Sequence, residues 1–235
     1  MRVGIIAAGT GERLRQGGYT QPKPLVRVAG KPLIDYVLAG VAATGASDVA
    51  CIVNEASHGI EEHCRGQWPD LQFTFIRRTT PSSMESLFTL EPVLRGGPFL
   101  LLTVDAIFAP QVLRDFLTAT AAYPTARGVL AVNNFVDDEK PLRVQLEGDG
   151  RIRALGPEAR DGGLVTAGFY VFDPVIFTEV AAARQRQLTA LRQFLGHLLE
   201  CGHTLYGQRV PKTVDVDRPE DIATAEAFVR GGFVA

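Results

Sequence analysis

Apolar residues fall along this chain in two kinds of run that take turns. Short, nearly continuous apolar stretches at residues 2–8, Asp48–Val53, 99–104 and 128–132 have the length and texture of strands buried on both faces. Between them, residues 33–42, 58–64, 84–94 and 111–122 repeat their apolar positions with helical spacing, and Gly45 stops the first of these helices. Residues 71–76 alternate and add a strand. This order predicts a parallel sheet covered by helices. From Pro141 the texture changes: residues 142–146 and 151–155 flank a Gly148-Asp149-Gly150 turn as a hairpin, and residues 165–172 form a strand after a loop through Gly162-Gly163. The second half thus adds antiparallel strands. Residues 177–183 and 188–199 are helical in spacing, while 204–210 and 213–217 are extended. Pro219 opens a last helix to about Arg230, with Glu220 and Asp221 suited to its start. No linker or internal repeat divides the sequence, so one domain over 1–235 is expected.

The first strand runs directly into Gly9-Thr10-Gly11-Glu12-Arg13, which bunches backbone amides at a strand end. Glycines there allow a sharp bend and close approach to a phosphate without interference from Cβ. Arg13, Arg15, Lys23, Arg27 and Lys31 follow, opposed locally by little except Glu12. A polyphosphate ligand is the expectation. Neither standard nucleotide loop is present, because no Gly-x-x-x-x-Gly-Lys-Ser/Thr occurs, and a dinucleotide fingerprint would need a glycine where Leu14 stands. The acid that such a fingerprint places after its second strand also has no match at the right distance; Val53-Asn54-Glu55 comes too late. A net charge of -2 argues against a nucleic-acid-binding surface and fits a small anion better.

Two aspartates and two cations are candidates for chemistry. Asp105 ends the apolar run 99–104, and Asp217 ends the extended segment 213–217, so each is delivered to a sheet edge, where open α/β sheets bind ligands. Two carboxylates converging beside a triphosphate make a hard oxygen site suited to Mg²⁺. Asp215 could stand in for Asp217, because alternate strand residues face the same way. Lys23 lies in a stiff stretch between Pro22 and Pro24 and can counter charge on a reacting phosphate. Arg13 can grip terminal phosphate oxygens with its planar fork. The plain alternatives are solvated cations and capping or loop aspartates.

Cys51, Cys64 and Cys201 show no Cys-x-x-Cys or zinc spacing, and Cys51 sits in an apolar strand as core. His58, His63, His197 and His203 form no metal motif and are expected to be structural or on the surface. No signal peptide or transmembrane run is present, so a cytoplasmic protein without membrane partners is expected.

Ala7-Ala8-Gly9-Thr10-Gly11-Glu12-Arg13, Gln21-Pro22-Lys23-Pro24-Leu25-Val26 and Ala29-Gly30-Lys31-Pro32-Leu33-Ile34 together closely resemble the signature of the sugar-phosphate nucleotidyltransferases. The likeness continues at Asp105, at Thr166-Ala167-Gly168-Phe169-Tyr170 and at Val214-Asp215-Val216-Asp217-Arg218-Pro219-Glu220-Asp221. The resemblance implies a three-layer α/β/α fold with a mixed, mostly parallel central sheet, of the nucleotide-diphospho-sugar transferase (GT-A-like) kind. It implies an NTP and a phosphorylated small molecule as ligands, with Ala7 to Gly11 over the nucleotide, Arg13 and Lys23 on the reacting phosphates, and Mg²⁺ held by Asp105 and Asp217. The acceptor phosphate would attack the α-phosphorus in line and expel pyrophosphate. Ala167, Gly168 and Tyr170 would lie on the acceptor side.

The sequence departs from the family pattern in three places. Val104 precedes Asp105 where a glycine is usual. Glu139-Lys140-Pro141 looks like the sugar-phosphate motif but precedes the hairpin instead of following it, which leaves Lys140 a weak acceptor candidate against a solvated loop lysine. Pro81-Ser82-Ser83-Met84-Glu85-Ser86-Leu87 lacks the Gln and Gly used around the base by many hexose enzymes, and looks more like the compact branch acting on phosphocholine and other phospho-alcohols. Ser82 and Ser83 could bond the base or cap the helix that follows, and Glu85, Phe169 and Tyr170 could line a pocket for a quaternary ammonium. A sugar 1-phosphate is the first expectation for the acceptor and a phospho-alcohol the second. The rivals are a glycosyltransferase of related fold, disfavoured by Thr103-Val104-Asp105 in place of Asp-x-Asp, and a non-catalytic nucleotide-binding regulator. Base, acceptor and oligomeric state stay open.

Overall fold

The computed structural model of the chain describes residues 1–135, 141–159 and 163–234. Strand β1 (Arg2–Ala7) turns Val3, Ile5 and Ala7 to one apolar layer and Ile6 to the other. Helix α1 (Glu12–Gln16), a small hairpin of β2 (Arg27–Val28) and β3 (Lys31–Pro32), and helix α2 (Leu33–Ala43) follow. Next come β4 (Asp48–Val53), α3 (Ile60–Gln67), β5 (Gln72–Arg77), α4 (Ser83–Leu94), β6 (Phe99–Thr103), β7 (Ala106–Ile107), α5 (Pro110–Thr120) and β8 (Gly128–Asn133). The remainder is β9 (Arg143–Leu146), β10 (Ile152–Leu155), β11 (Leu164–Phe172), α6 (Val180–Gln185), α7 (Leu191–Glu200), β12 (Leu205–Arg209), β13 (Val214–Asp215) and α8 (Pro219–Arg230).

Among the described residues nine strands form one mixed sheet. β6, β1, β4 and β5 lie parallel in that order, and β11 joins β6 antiparallel. β11 in turn carries the β9–β10 hairpin and β8, with β12 parallel to β8. Helices cover both faces. On one, Leu87 and Leu90 of α4 and Phe194 and Leu198 of α7 meet the sheet; on the other, Val37 of α2, Ile60 of α3 and Phe116 of α5 do so. Both faces being apolar explains why the central strands read as continuous runs rather than alternating ones. A smaller cluster, including Leu14, Val26, Tyr36, Val214 and Phe228, ties the segment after the glycine loop to α8.

β11 brings the second half of the chain to the end of β6. Its register against β8 slips between Thr166 and Tyr170, and Gly168 within that irregularity has φ +81°. A Cβ at Gly168 would lie 2.8 Å from Ala106 Cβ and 2.9 Å from Thr103 Oγ1, so a larger residue would push β11 away from β6.

Local differences from the sequence reading have identifiable causes. The helix expected over 177–183 is a 3-10 segment, Pro174–Glu179, followed by α6. The next helix starts at Leu191 and not at Leu188, because Gln187 turns left-handed (φ +55°) and the Leu188 N–H donates to Ala183 O at 3.1 Å, closing the end of α6. The extended segment 213–217 pairs only over Val214–Asp215, with β7, outside the main sheet. No described helix is long and apolar enough to cross a membrane.

Candidate active site

Gly11 and Lys23 meet where the glycine loop turns into α1. Gly11 has φ +62°, a left-handed conformation that costs most residues about 1–2 kcal/mol. A Cβ on it would lie 2.9 Å from Lys23 Cβ. The glycine therefore gives room for the lysine stem as well as for the turn. Lys23 is held by flanking prolines in a short 3-10 turn, and its side chain is only 9% exposed, so its ammonium has a narrow choice of positions.

That ammonium donates to Asp105 Oδ2 at 2.9 Å and also to Asp217 Oδ1. Arg13 Nη1 reaches Asp217 Oδ2 at 3.5 Å. Residues from three distant parts of the chain thus share one centre. Backbone bonds fix the aspartates: the Val104 N–H donates to Ile6 O, and the Val216 N–H donates to Asp105 O at 3.1 Å, which ties the end of β6 to β1 and to the segment beyond β13. The N–H groups of Asp217 and Arg218 both donate to Asp221 Oδ2, at 2.8 and 2.7 Å, so the start of α8 holds the Asp217 backbone.

Burial works to lower the Lys23 pKa, but Asp105 and Asp217 outweigh it and hold the group above the usual lysine range. Burial likewise opposes ionisation of Asp105, yet Lys23 and a hydrogen bond from Thr103 keep its carboxyl below the usual range. Lys23 and Asp105 therefore carry opposite charges at neutral pH. Two carboxylates aimed at a common cation are the donor set a hard divalent ion requires, and the Lys23 ammonium already occupies the position of positive charge between them; Mg²⁺ fits these residues.

Three hollows meet at Asp105. Ala7, Gly9, Thr10, Ser82 and Ser83 line a recess on the β1 side of Lys23. Gly9 to Arg13 border an open groove shared with Lys23, Asp105 and Asp217. Across Asp105, Thr166, Gly168, Tyr170, Arg192 and Asp215 line a cavity of about 280 Å³. Burial pushes the Tyr170 phenol up to about 12, against a hydrogen bond with Thr166 that lowers it, with Asp215 and Asp105 adding to the rise. It is a neutral hydrogen-bonding group there.

Several sequence candidates lie elsewhere. Ala8 is buried, and its carbonyl accepts from Asn54 Nδ2 at 3.2 Å; Ala167 is also core. Glu85 is not brought to these hollows, because Arg184 holds both its oxygens at 2.7 and 3.0 Å. Ser82 Oγ accepts from the Glu85 N–H at 3.2 Å and caps α4 while still lining the recess. Asp217, not Asp215, contacts Lys23, although both border the cavity. Lys140 lies outside the described residues. Sequence reasoning missed the roles of Thr103 and Arg192, and it placed Asp221 at the start of α8 without its bonds to the Asp217 and Arg218 N–H groups. Asp221 had a usable signal, since an acid at the third position of a proline-opened helix is a capping-box residue; Thr103 and Arg192 had none.

The family described as Nucleotidyl transferase matches residues 3–230. The chain is similar to the CMP-5'-(3-aminopropyl)phosphonate synthase of Streptomyces rubellomurinus, 28% identical over 88% of this chain and 32% of that protein. It is similar to the glucose-1-phosphate thymidylyltransferase of Streptomyces antibioticus, 27% identical over 86% of this chain and 58% of the relative. It therefore spans a third to somewhat over half of the length of these two proteins. Among solved structures, the inositol-1-phosphate CTP transferase from T. maritima superposes with a TM-score of 0.83 at 20% identity, over 100% of this chain and 97% of that one. That likeness shows the fold.

Proposed function

Because the chain belongs to the nucleotidyl transferase family, we propose that it joins the nucleotidyl group of an NTP to a small phosphorylated acceptor and releases pyrophosphate. The observation that carries this reading is the Lys23 ammonium held between Asp105 and Asp217 beneath the glycine loop. The recess beside Ala7, Gly9 and Ser82 would take the base and ribose, and the groove along Gly9 to Arg13 the phosphates, where amides and the Arg13 fork meet anionic oxygens. The acceptor would enter from the Tyr170 and Arg192 side.

A phosphate monoester is already anionic at neutral pH and needs no protein base. One of its oxygens forms the new bond to the α-phosphorus as the bond to the bridging oxygen of pyrophosphate breaks, and that electron pair leaves with pyrophosphate. Lys23 meets charge building on the transferred phosphoryl group, and Arg13 meets the leaving pyrophosphate; both act by positioning and charge. Asp105 and Asp217 would hold Mg²⁺, which when bound neutralises phosphate charge. The reading takes residues 1–235 as one catalytic domain working in the cytoplasm, with no nucleic-acid partner.

A sugar 1-phosphate is the first choice of acceptor. A second reading, cytidylyl transfer to a phospho-alcohol or an aminoalkyl phosphonate, rests on the acceptor-side cavity, where the Asp215 carboxylate and the Tyr170 ring lie beyond Asp105 and Asp217, which Lys23 already pairs. Such a wall suits an acceptor that carries its own positive charge. The test incubates purified protein with Mg²⁺, each common NTP, and a panel of sugar 1-phosphates, phosphocholine and aminoalkyl phosphonates. The expected result is pyrophosphate and a coupled product in equal amounts with one pair; NTP cleavage that ignores every acceptor, or none at all, would overturn the proposal.

A further inference from the structure

Thr80 and Ser86 also line the recess beside Ala7, Gly9 and Ser82, and their hydroxyls are bonded in a fixed direction. Ser86, 1% exposed near the start of α4, turns its side chain back one helical turn, where its Oγ donates to Ser82 O at 3.1 Å. A carbonyl can only accept, so the hydroxyl proton of Ser86 is taken up there. Thr80 Oγ1 lies 2.6 Å from Ser86 Oγ. One of the two must donate, and only Thr80 still has a proton to give. The Thr80 oxygen is left with lone pairs alone for whatever enters the recess. Ser82 Oγ is its complement, because it accepts from the Glu85 N–H and keeps its own proton for a ligand.

Resting on the reading that this recess takes the base of the NTP, we propose that Thr80, ordered by Ser86, selects a base with an exocyclic amine, cytosine or adenine, over one with a carbonyl there. Thr80 follows β5 at the sheet edge and Asp105 follows β6, with β1 and β4 between them, so the recess runs across the strand ends from the phosphate centre to Thr80. The exocyclic group stands across the ring from the sugar bond and is the part of the base that reaches the Thr80 end. In cytosine and adenine that group is an N–H donor, which the Thr80 lone pairs accept; in uracil, thymine and guanine it is an oxygen. The ring nitrogen beside it changes in step. It accepts in the first set, where the Ser82 proton can meet it, and carries a proton in the second.

An oxygen at the Thr80 end sets lone pairs against lone pairs. To relieve this, Thr80 must turn its proton to the base and Ser86 must turn its own to Thr80, giving up the bond to Ser82 O. A bond of that kind is worth about 2- to 12-fold in an equilibrium constant. Thr80 makes the contact, and Ser86 is a positioning residue behind it.

Equilibrium binding of matched nucleotides to the purified protein, with Mg²⁺ and no acceptor, tests this. CTP is compared with UTP and ATP with ITP, each pair exchanging an amine for a carbonyl at one ring position. In whichever pair binds, the amine member should bind about fivefold more tightly. Thr80→Val keeps the shape, removes the hydroxyl and should bring the pair to within about twofold. Ser86→Ala leaves Thr80 in place but removes the oxygen that orders its proton, so UTP or ITP should gain affinity, whereas a plain structural role would weaken both members alike. Equal or reversed affinities in the wild type, or the full wild-type preference kept by Ser86→Ala, would overturn the inference and leave the transferase reading standing. Binding of no nucleotide at all would overturn both.

Discussion

Replacing Lys23 by Met keeps most of the side-chain stem and removes only the ammonium. At 2.9 Å and an effective dielectric near 20, the ammonium and Asp105 attract by about 6 kcal/mol before solvation is counted. Desolvation of the buried ammonium offsets most of this, and Asp217, whose side chain is 40% exposed, recovers water contacts when the lysine is lost. The net destabilisation expected is about 1–3 kcal/mol, read as a fall in melting temperature of roughly 2–4 °C per kcal/mol. Turnover should fall further, by about 100- to 1000-fold, because charge that builds on the transferred phosphoryl loses its fixed partner. The pH dependence gives an independent check. The folded pKa of Asp105 is depressed, so its contribution is present above the unfolded carboxyl value of about 3.9 and is lost as pH falls through the lower folded value. The folded pKa of Lys23 is raised, so its contribution is complete below about 10.4 and is lost only as pH rises through the higher folded value. The stability gap between wild type and variant should be flat around neutrality and close in strong acid. Turnover within threefold of wild type, or a gap that widens below about pH 4, would refute the reasoning.

Three further outcomes follow from the same geometry. Gly11→Ala should cost about 1–2 kcal/mol from its left-handed backbone and lose proportionately more activity, because its Cβ displaces Lys23; paired unfolding and turnover measurements check this, and equal losses would contradict it. Asp221→Ala frees the N–H groups of Asp217 and Arg218 and should lower stability by about 1 kcal/mol while raising the Mg²⁺ concentration needed for half-maximal turnover, an effect a plain capping role would not produce. Glu85→Gln should leave kcat and KM for the acceptor within twofold, since Arg184 occupies that carboxylate; a large change in KM would return Glu85 to the acceptor site.

The alternating runs of the first half were legible because β1, β4 and β6 are buried on both faces, β5 alternates at the sheet edge, and the helices between them keep helical apolar spacing, so the pattern fixes order and type. The glycine loop, Lys23 and the two aspartates were legible for a different reason. Strand ends, proline-flanked stiffness and local charge mark the places where chemistry is held, and the resemblance assigned their order. Hydrogen bonds between distant residues left no such mark. Arg184 claiming Glu85 is a contact across 99 positions, and no local pattern announces it. Val214–Asp215 went to β7 and not to the main sheet because a two-residue pairing is too short for alternation to specify its partner.

The central claim is that the anionic acceptor itself attacks the α-phosphorus while Lys23, Asp105, Asp217 and Arg13 supply position and charge. Transfer from an NTP made chiral by sulfur at the α-phosphorus, followed by phosphorus NMR of the product, tests it most directly. A single in-line displacement predicts inversion of configuration at that atom. Retention would mean that the protein carries the nucleotidyl group covalently between two displacements, which would contradict the account.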